Sequence, residues 1–363
     1  MCGVESSIVN LSVAVCGGGA FGRNHIRVYR ALGAEAGVHL AAVVEPDEAR
    51  ARLLEAELLA PDEQKQGAAS PVRPARFFSD VESMLAAVER GELRVDAASV
   101  CVPTSAHCVV ASLLLAAGVH VLVEKPIAAT LEEADQLIGL AAKHERVLQV
   151  GHLERFNPAV LALAPLLRGP MFFEAHRLSI FSPRSLDVDV VLDLMIHDLD
   201  IVLTLAQSPV EEVRAVGLPI LSAKTDIANV RVQFASGCVA NFTASRVSTE
   251  RVRKLRFFQP HQYISVDYAR QDLLVIEVQP AGAGEELPAL SMEKPVVTPG
   301  EPLRLEIEAF VRSIAEGSEA AVTGGQGREA LALALAIQEA IAEHAARPPA
   351  VGPVRRFTPG VHG

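Results

Sequence analysis

Short apolar runs and helix-period segments alternate through the first 150 residues. "LSVAVCG" (11–17) is a continuous apolar run closing on glycines, which predicts a strand buried on both faces. "FGRNHIRVYRALG" after it carries helical spacing, "VHLAAVVEP" (38–46) predicts the next strand and "ARARLLEAELLA" (49–60) the next helix. The order continues through "VESMLAAVER" (helix), "DAASVCVP" (strand), "AHCVVASLLLAAG" (helix), "VHVLVEKP" (strand), "TLEEADQLIGLAAKH" (helix) and "RVLQVGH" (strand). The polar, Pro- and Gly-rich stretch 60–75 interrupts this as a surface insertion. Alternating β and α units with buried strands predict an α/β, Rossmann-type, doubly wound parallel sheet over residues 1–150.

Beyond residue 151 the pattern changes. One long helix is predicted over 189–206, followed by period-two alternation. In "VRVQF", Val230, Val232 and Phe234 face one way, and "CVANFTASR", "KLRFF", "YISVDY" and "DLLVIEV" continue in that manner. A Pro- and Gly-rich loop is expected over 279–302, and two helices close the chain. The expectation for 151–363 is a substrate-binding and oligomerisation α+β domain with an open, mostly antiparallel sheet covered on one face. The uncovered face suggests a homo-dimer or homo-tetramer.

Composition narrows the partners. The 363 residues are 50% hydrophobic, enough for two cores, and the net charge of −11 argues against nucleic-acid binding, which needs clustered cations. The five cysteines (Cys2, Cys16, Cys101, Cys108 and Cys238) are irregularly spaced without a CxxC. They read as reduced thiols in a cytoplasmic protein, not as a disulfide frame or a zinc site. The N-terminus lacks a basic n-region, and no apolar run is long enough for membrane insertion.

Gly17-x-Gly19-x-x-Gly22 lies between the first strand and the first helix. Gly17 permits the tight turn, Gly19 a close pyrophosphate and Gly22 close helix packing. The helix opening at Ala20 and Phe21 adds free N–H groups. An acid, Glu45, ends the next strand 23 residues after Gly22, near the ~20 expected of a carboxylate that binds the ribose 2′-OH. A dinucleotide site follows, with NAD preferred to NADP because Glu45 would repel a 2′-phosphate. Arg50 is the residue that argues the other way. His25, one turn into the helix, reads as a packed polar residue.

Two further strands end in residues that would lie at the same cleft. "CVPTSAH" supplies Pro103, Thr104 and His107, and "VEKP" supplies Glu124 and Lys125. By position alone Lys125 is either a solvated strand-end lysine or a desolvated one able to polarise a substrate oxygen. "DLMIHDLD" (193–200) is equally open. At ~100° per residue, His197 falls ~40° and Asp200 about 20° from Asp193, while Asp198 falls among apolar neighbours. A metal site, a packed polar cluster and a histidine base oriented by a carboxylate all use such a stripe. No HxxE or HExxH pattern supports a metal, and none is expected.

"VAVCGGGAFGRNH", "VDAASVCVPTSAH", "AAGVHVLVEKPIAAT", "LQVGHLERFNPAV", "VVLDLMIHDLDIVL" and "GEPLRLEIEAF" occur in this order. Together they resemble the family of glucose–fructose oxidoreductase, inositol dehydrogenase and their relatives, the Gfo/Idh/MocA family. The resemblance implies nicotinamide-dependent oxidation or reduction of a sugar-like hydroxyl. It places the family's EKP lysine at Lys125 and its Asp-x-x-x-His pair at Asp193 and His197. His197 would then be the general base, Asp193 its orienter and Lys125 the donor to the reacting oxygen. That combination disfavours a non-catalytic NAD-binding sensor.

"GHLERFNPAV" further resembles relatives acting on nucleotide-linked amino sugars, which implies oxidation of UDP-N-acetylglucosamine to its 3-keto form, as for 3-amino-sugar lipid A synthesis. UDP-N-acetylglucosaminuronic acid or a free sugar or inositol is the alternative. A diphosphate calls for arginine and amide partners. Arg155, Asn157 and Arg177 are the preferred substrate contacts beside Lys125, Asp193 and His197. Arg184 and Arg246 are further candidates, and the charges of "RVRKLR" (251–256) read as solvated strand residues.

Overall fold

The computed structural model describes residues 10–59, 74–181, 188–279 and 289–347. Most of the expected 60–75 insertion, Cys2 and Arg184 lie outside them. The first half runs β1 (Leu11–Cys16), α1 (Ala20–Ala36), β2 (Val38–Val44), α2 (Glu48–Leu59), β3 (Arg76–Phe78), α3 (Val81–Glu89), β4 (Ala97–Val100), α4 (Thr104–Ala116), β5 (His120–Glu124), α5 (Leu131–Lys143) and β6 (Leu148–Gly151). Six parallel strands stand in the order β3-β2-β1-β4-β5-β6, the doubly wound arrangement. Helices on both faces explain the continuous apolar runs: Val13, Ala14, Val15 and Cys16 are all fully buried. The strand order reverses between β1 and β4, so the glycine loop and the turn after Val100 open at the switch point.

The second half contributes α6 (Pro158–Leu161), β7 (Phe172–Ile180), a π-helical turn (Val191–Met195) leading into α7 (Ile196–Ala206), then β8 (Val210–Leu218), β9 (Ile227–Phe234), β10 (Val239–Ser248), β11 (Val252–Gln259), β12 (Gln262–Asp267), β13 (Asp272–Gln279), β14 (Ala289–Glu293), α8 (Pro302–Glu316) and α9 (Gly324–Ala345). The eight strands lie in the order β14-β13-β12-β11-β7-β10-β9-β8. Every neighbouring pair is antiparallel except β7 with β10. Val230, Val232 and Phe234 are fully buried on the inner face, as the alternation predicted, and they join α7 and α9 in one core.

The structure differs from the sequence expectations at four places. β3, α6, β7 and β8 were not anticipated, although β7 is central in its sheet. β14 falls within the stretch expected to be loop; all five of its residues are exposed, so its alternate apolar residues Leu290 and Met292 are not covered by the core. The helix expected over 189–206 begins instead with a π-helical turn, a form often found at functional sites. The division at 150/151 separates the sheets but not the packing. Leu303, Ile307, Phe310 and Val311 of α8 join the core of β1 and α1, so α8 returns to the first domain. Full burial of Phe310 alone is worth about 1.5–3 kcal/mol. Among the described residues no helix is long and apolar enough to cross a membrane, and the four described cysteines are unpaired.

Candidate active site

The glycine loop is closed below and open above. Gly17 has φ +100°, and a Cβ there would meet the Cys101 carbonyl oxygen at 2.6 Å. A Cβ on Gly22 would meet the Gly17 oxygen at 1.7 Å, so both positions require glycine. At Gly19 an added Cβ meets nothing within 4 Å. Gly19 caps α1 without a side-chain bond, and no acid occupies the first turn, which leaves the N-terminal N–H groups and the dipole for an anion. Ala20 and Phe21 are exposed beside it. This cradle fits the pyrophosphate of a dinucleotide.

Glu45 is buried and braces the loop. Its carboxylate accepts from Gly18 N–H at 2.7 Å and from Asp47 N–H at 2.9 Å, and it pairs with Arg50 at 3.1 Å. Carboxylate oxygens carry spare lone pairs, so a ribose hydroxyl can still be accepted. Arg50 is held by Glu45 and Asp47.

His107 differs from its expected place over the cleft. It is buried, with Nδ1 at 2.8 Å from the Pro126 oxygen and Nε2 at 3.0 Å from the Val102 oxygen. It ties the turn after β4 to the turn after β5, and burial lowers its pKa. Pro103 is exposed and Thr104 half-buried at that turn. Glu124 accepts from the buried His25 at 2.9 Å, and the other imidazole nitrogen meets Ser99 at 3.0 Å, so His25 is the packed polar residue expected.

Lys125 leaves β5 and crosses to the π-helical turn. Its Nζ donates to the Asp193 carbonyl oxygen at 2.6 Å and lies 3.7 Å from the Asp193 carboxylate. Burial lowers its pKa below the usual lysine value, and Asp193 and Glu124 partly oppose this. His197 stands next on the helix, half-buried, with Nδ1 buried and without a hydrogen-bond partner. Burial first, then the charges of Lys125, Arg177, His152 and Arg253, pushes its pKa well below 6.5. His197 is therefore neutral at pH 7.

No hydrogen bond or ion pair joins Asp193 to His197 among the described residues, which corrects the expected pairing. The physical reason is charge: the Asp193 carboxylate faces the Lys125 cation, whereas the neutral imidazole offers it none.

The three preferred substrate contacts are engaged internally. Arg155 forms a two-pronged pair with Asp200 at 2.8 and 3.2 Å. Arg177, buried, does the same with Asp198 at 2.7 and 3.0 Å and adds Glu154 at 2.9 Å. Asn157 is buried, donates to Glu154 and the Tyr268 carbonyl, and caps Ala159 N–H. These residues brace the floor of the site, because carboxylates from α7 and the segment after β6 satisfy them. Arg246, a further candidate, is likewise tied to Asp226 at 3.3 Å. Removing Arg177 alone strands two buried carboxylates. We expect Arg177→Met to cost about 3–5 kcal/mol of stability, read as a lowered urea midpoint. An unchanged midpoint contradicts the bracing role.

The structure adds residues that sequence reasoning passed over. His152, inside the quoted "GHLERF", is buried near Lys125 and Asp200 with neither nitrogen hydrogen-bonded. Glu306, inside "LEIEAF", is fully buried, and burial together with Glu124 holds its carboxyl protonated well above the usual range. Arg253 of β11 registers opposite Arg177. A titratable side chain at a motif position is the signal that marks the first two.

Residues 11–152 match the NAD-binding Rossmann fold of the Gfo/Idh/MocA oxidoreductase family, and residues 172–260 match that family's C-terminal domain. The chain belongs to this family and is a nicotinamide-dependent dehydrogenase acting on a CH–OH group. UDP-N-acetylglucosamine 3-dehydrogenase of Acidithiobacillus ferrooxidans is 37% identical over 335 residues, spanning 92% of this chain and 98% of its own. A solved structure of that enzyme superposes with a TM-score of 0.81 at 36% identity, covering 93% of this chain and all of the other. Myo-inositol 2-dehydrogenase of Thermotoga maritima is 26% identical across 69% of this chain and 78% of its own. Levoglucosan dehydrogenase, solved with NADH and levoglucosan, shares the fold, with a TM-score of 0.76 at 18% identity across 92% of this chain and 98% of its own.

Proposed function

We propose that the protein oxidises the 3-hydroxyl of UDP-N-acetylglucosamine to the ketone with NAD, the step that prepares the sugar for amination in lipid A synthesis. The observation that carries this is 37% identity to a UDP-N-acetylglucosamine 3-dehydrogenase along nearly the whole of both chains. The Lys125–His197 arrangement supports it.

The glycine loop, the N-terminus of α1 at Ala20 and Phe21, Glu45, the Pro103–Thr104 turn, Glu124 and Lys125 would hold the dinucleotide. When bound, it supplies the acceptor for the hydride leaving the carbinol carbon. His197, neutral at pH 7, takes the hydroxyl proton. Lys125 has one N–H committed to the Asp193 oxygen and two to spare. It donates to the reacting oxygen as negative charge develops there. Asp193 sets the position of Lys125. The cations that keep His197 neutral also favour the alkoxide over the alcohol, so proton transfer is helped at both ends. NAD is preferred to NADP because the buried Glu45 is committed to the loop and holds Arg50 away from a 2′-phosphate.

A panel of UDP-sugars and free polyols, read as NADH absorbance and repeated with NADP, tests this. The expected result is reduction of NAD with UDP-N-acetylglucosamine and a much weaker response with NADP. Turnover only with inositol, glucose or UDP-N-acetylglucosaminuronic acid overturns the substrate.

A further inference from the structure

A nucleotide sugar brings a diphosphate into the cleft, yet the arginines best placed to meet it are already neutralised. Lys125 faces Asp193, Arg155 grips Asp200, and Arg177 grips Asp198 and Glu154. Arg253 is different. Its strand alternates so that Leu255 and Phe257 are fully buried on the inner face, which places Arg253 on that face too. There it registers beside Arg177, and Tyr268 N–H donates to its carbonyl oxygen at 3.0 Å. Arg253 is nevertheless exposed, so it lies where the covered face of the sheet opens. Among the described residues its guanidinium has no hydrogen bond and no ion pair. The neighbouring carboxylates, Glu154 and Asp198, are both taken by Arg177. It is close enough to His197 for its charge to act on the imidazole.

We propose that Arg253 anchors the diphosphate of the nucleotide sugar and thereby selects nucleotide-linked over free sugars. This rests on the function proposed above. An exposed guanidinium beside the histidine base, with no hydrogen bond or ion pair of its own among the described residues, keeps its planar fork for two phosphate oxygens.

The test compares Arg253→Ala, Arg253→Lys and the control Arg256→Ala in the full chain. Arg256 lies on the same strand with the opposite orientation, paired with Glu174 at 3.8 Å, so the control removes the same charge away from the site. We expect Arg253→Ala to raise the KM for UDP-N-acetylglucosamine and the inhibition constant for UDP by about 10- to 100-fold, with the smaller effect on kcat. Lysine should restore part of the loss, because it keeps the charge but not the fork. Arg256→Ala should leave both constants unchanged. Equal UDP inhibition of wild type and Arg253→Ala overturns the anchor. A loss confined to UDP-N-acetylglucosaminuronic acid overturns it in favour of a sugar carboxylate. If the wild type neither binds UDP nor oxidises the nucleotide sugar, the proposed function fails first and the anchor falls with it.

Discussion

Lys125→Ala is expected to lower kcat by about two to four orders of magnitude, far more than it weakens NADH binding. The Lys125 side chain is nearly withdrawn from water and is held from one side only, by Asp193. Its two remaining N–H groups serve the oxygen whose charge grows as the carbon–hydrogen bond breaks. Alanine removes that donor and leaves the Asp193 carboxylate without its cation. The loss should thus appear in hydride transfer itself, measured in a single turnover, with NADH binding followed by fluorescence. Lys125 must be protonated to donate. Burial lowers its pKa, so the donor is lost as pH rises through a value below 10.5, and the alkaline limb of kcat should lie there. Asp193 opposes that lowering, so Asp193→Asn should move the alkaline limb to still lower pH. If Asp193 instead orients His197, the acid limb moves and the alkaline limb stays. Near wild-type turnover by Lys125→Ala contradicts the assignment outright.

The parts of this site legible in the chain are those whose chemistry is local. The glycine loop is read from three glycines between a buried strand and a helix, and Lys125 from its place at a strand end. What resisted reading depends on partners far away in sequence. Arg155 and Arg177 have the right type for a diphosphate, but their carboxylates lie 45 and 21 residues away, and no spacing rule reveals such pairing. β7 is masked by its own alternation, because the inward series Phe173, Ala175, Arg177 ends in a cation. Arg253 shows both signals at once. In "RVRKLRFF" the density of charge suggests a solvated strand, and Arg253 is exposed as that implies, while the period of two, anchored on Leu255 and Phe257, puts it on the inner face. The periodicity carried the placement; the composition hid it. The acid–base stripe of "DLMIHDLD" was likewise resolved by neighbours. Asp193 turns to Lys125, Asp198 to Arg177 and Asp200 to Arg155, and only His197 is left without a protein partner for its buried nitrogen.

His197→Asn should cost about two to four orders of magnitude in kcat, since the imidazole of α7, whose buried Nδ1 has no hydrogen-bond partner, is lost. The pH dependence carries the sign. Burial, followed by Lys125, Arg177, His152 and Arg253, lowers the pKa of His197 well below 6.5. The basic form therefore persists through neutral pH and is lost only as pH falls through the lowered value. The acid limb of kcat/KM, which reports the free enzyme, should accordingly lie below 6.5. An ordinary exposed histidine would place that limb near 6.5. Lys125→Met supplies an independent check that needs no turnover. It removes the cation that acts most strongly on His197, so the His197 ring proton resonances should titrate at higher pH in that variant than in wild type. A titration that stays in place shows that Lys125 does not act on His197, and the two residues then cannot form one proton-transfer unit.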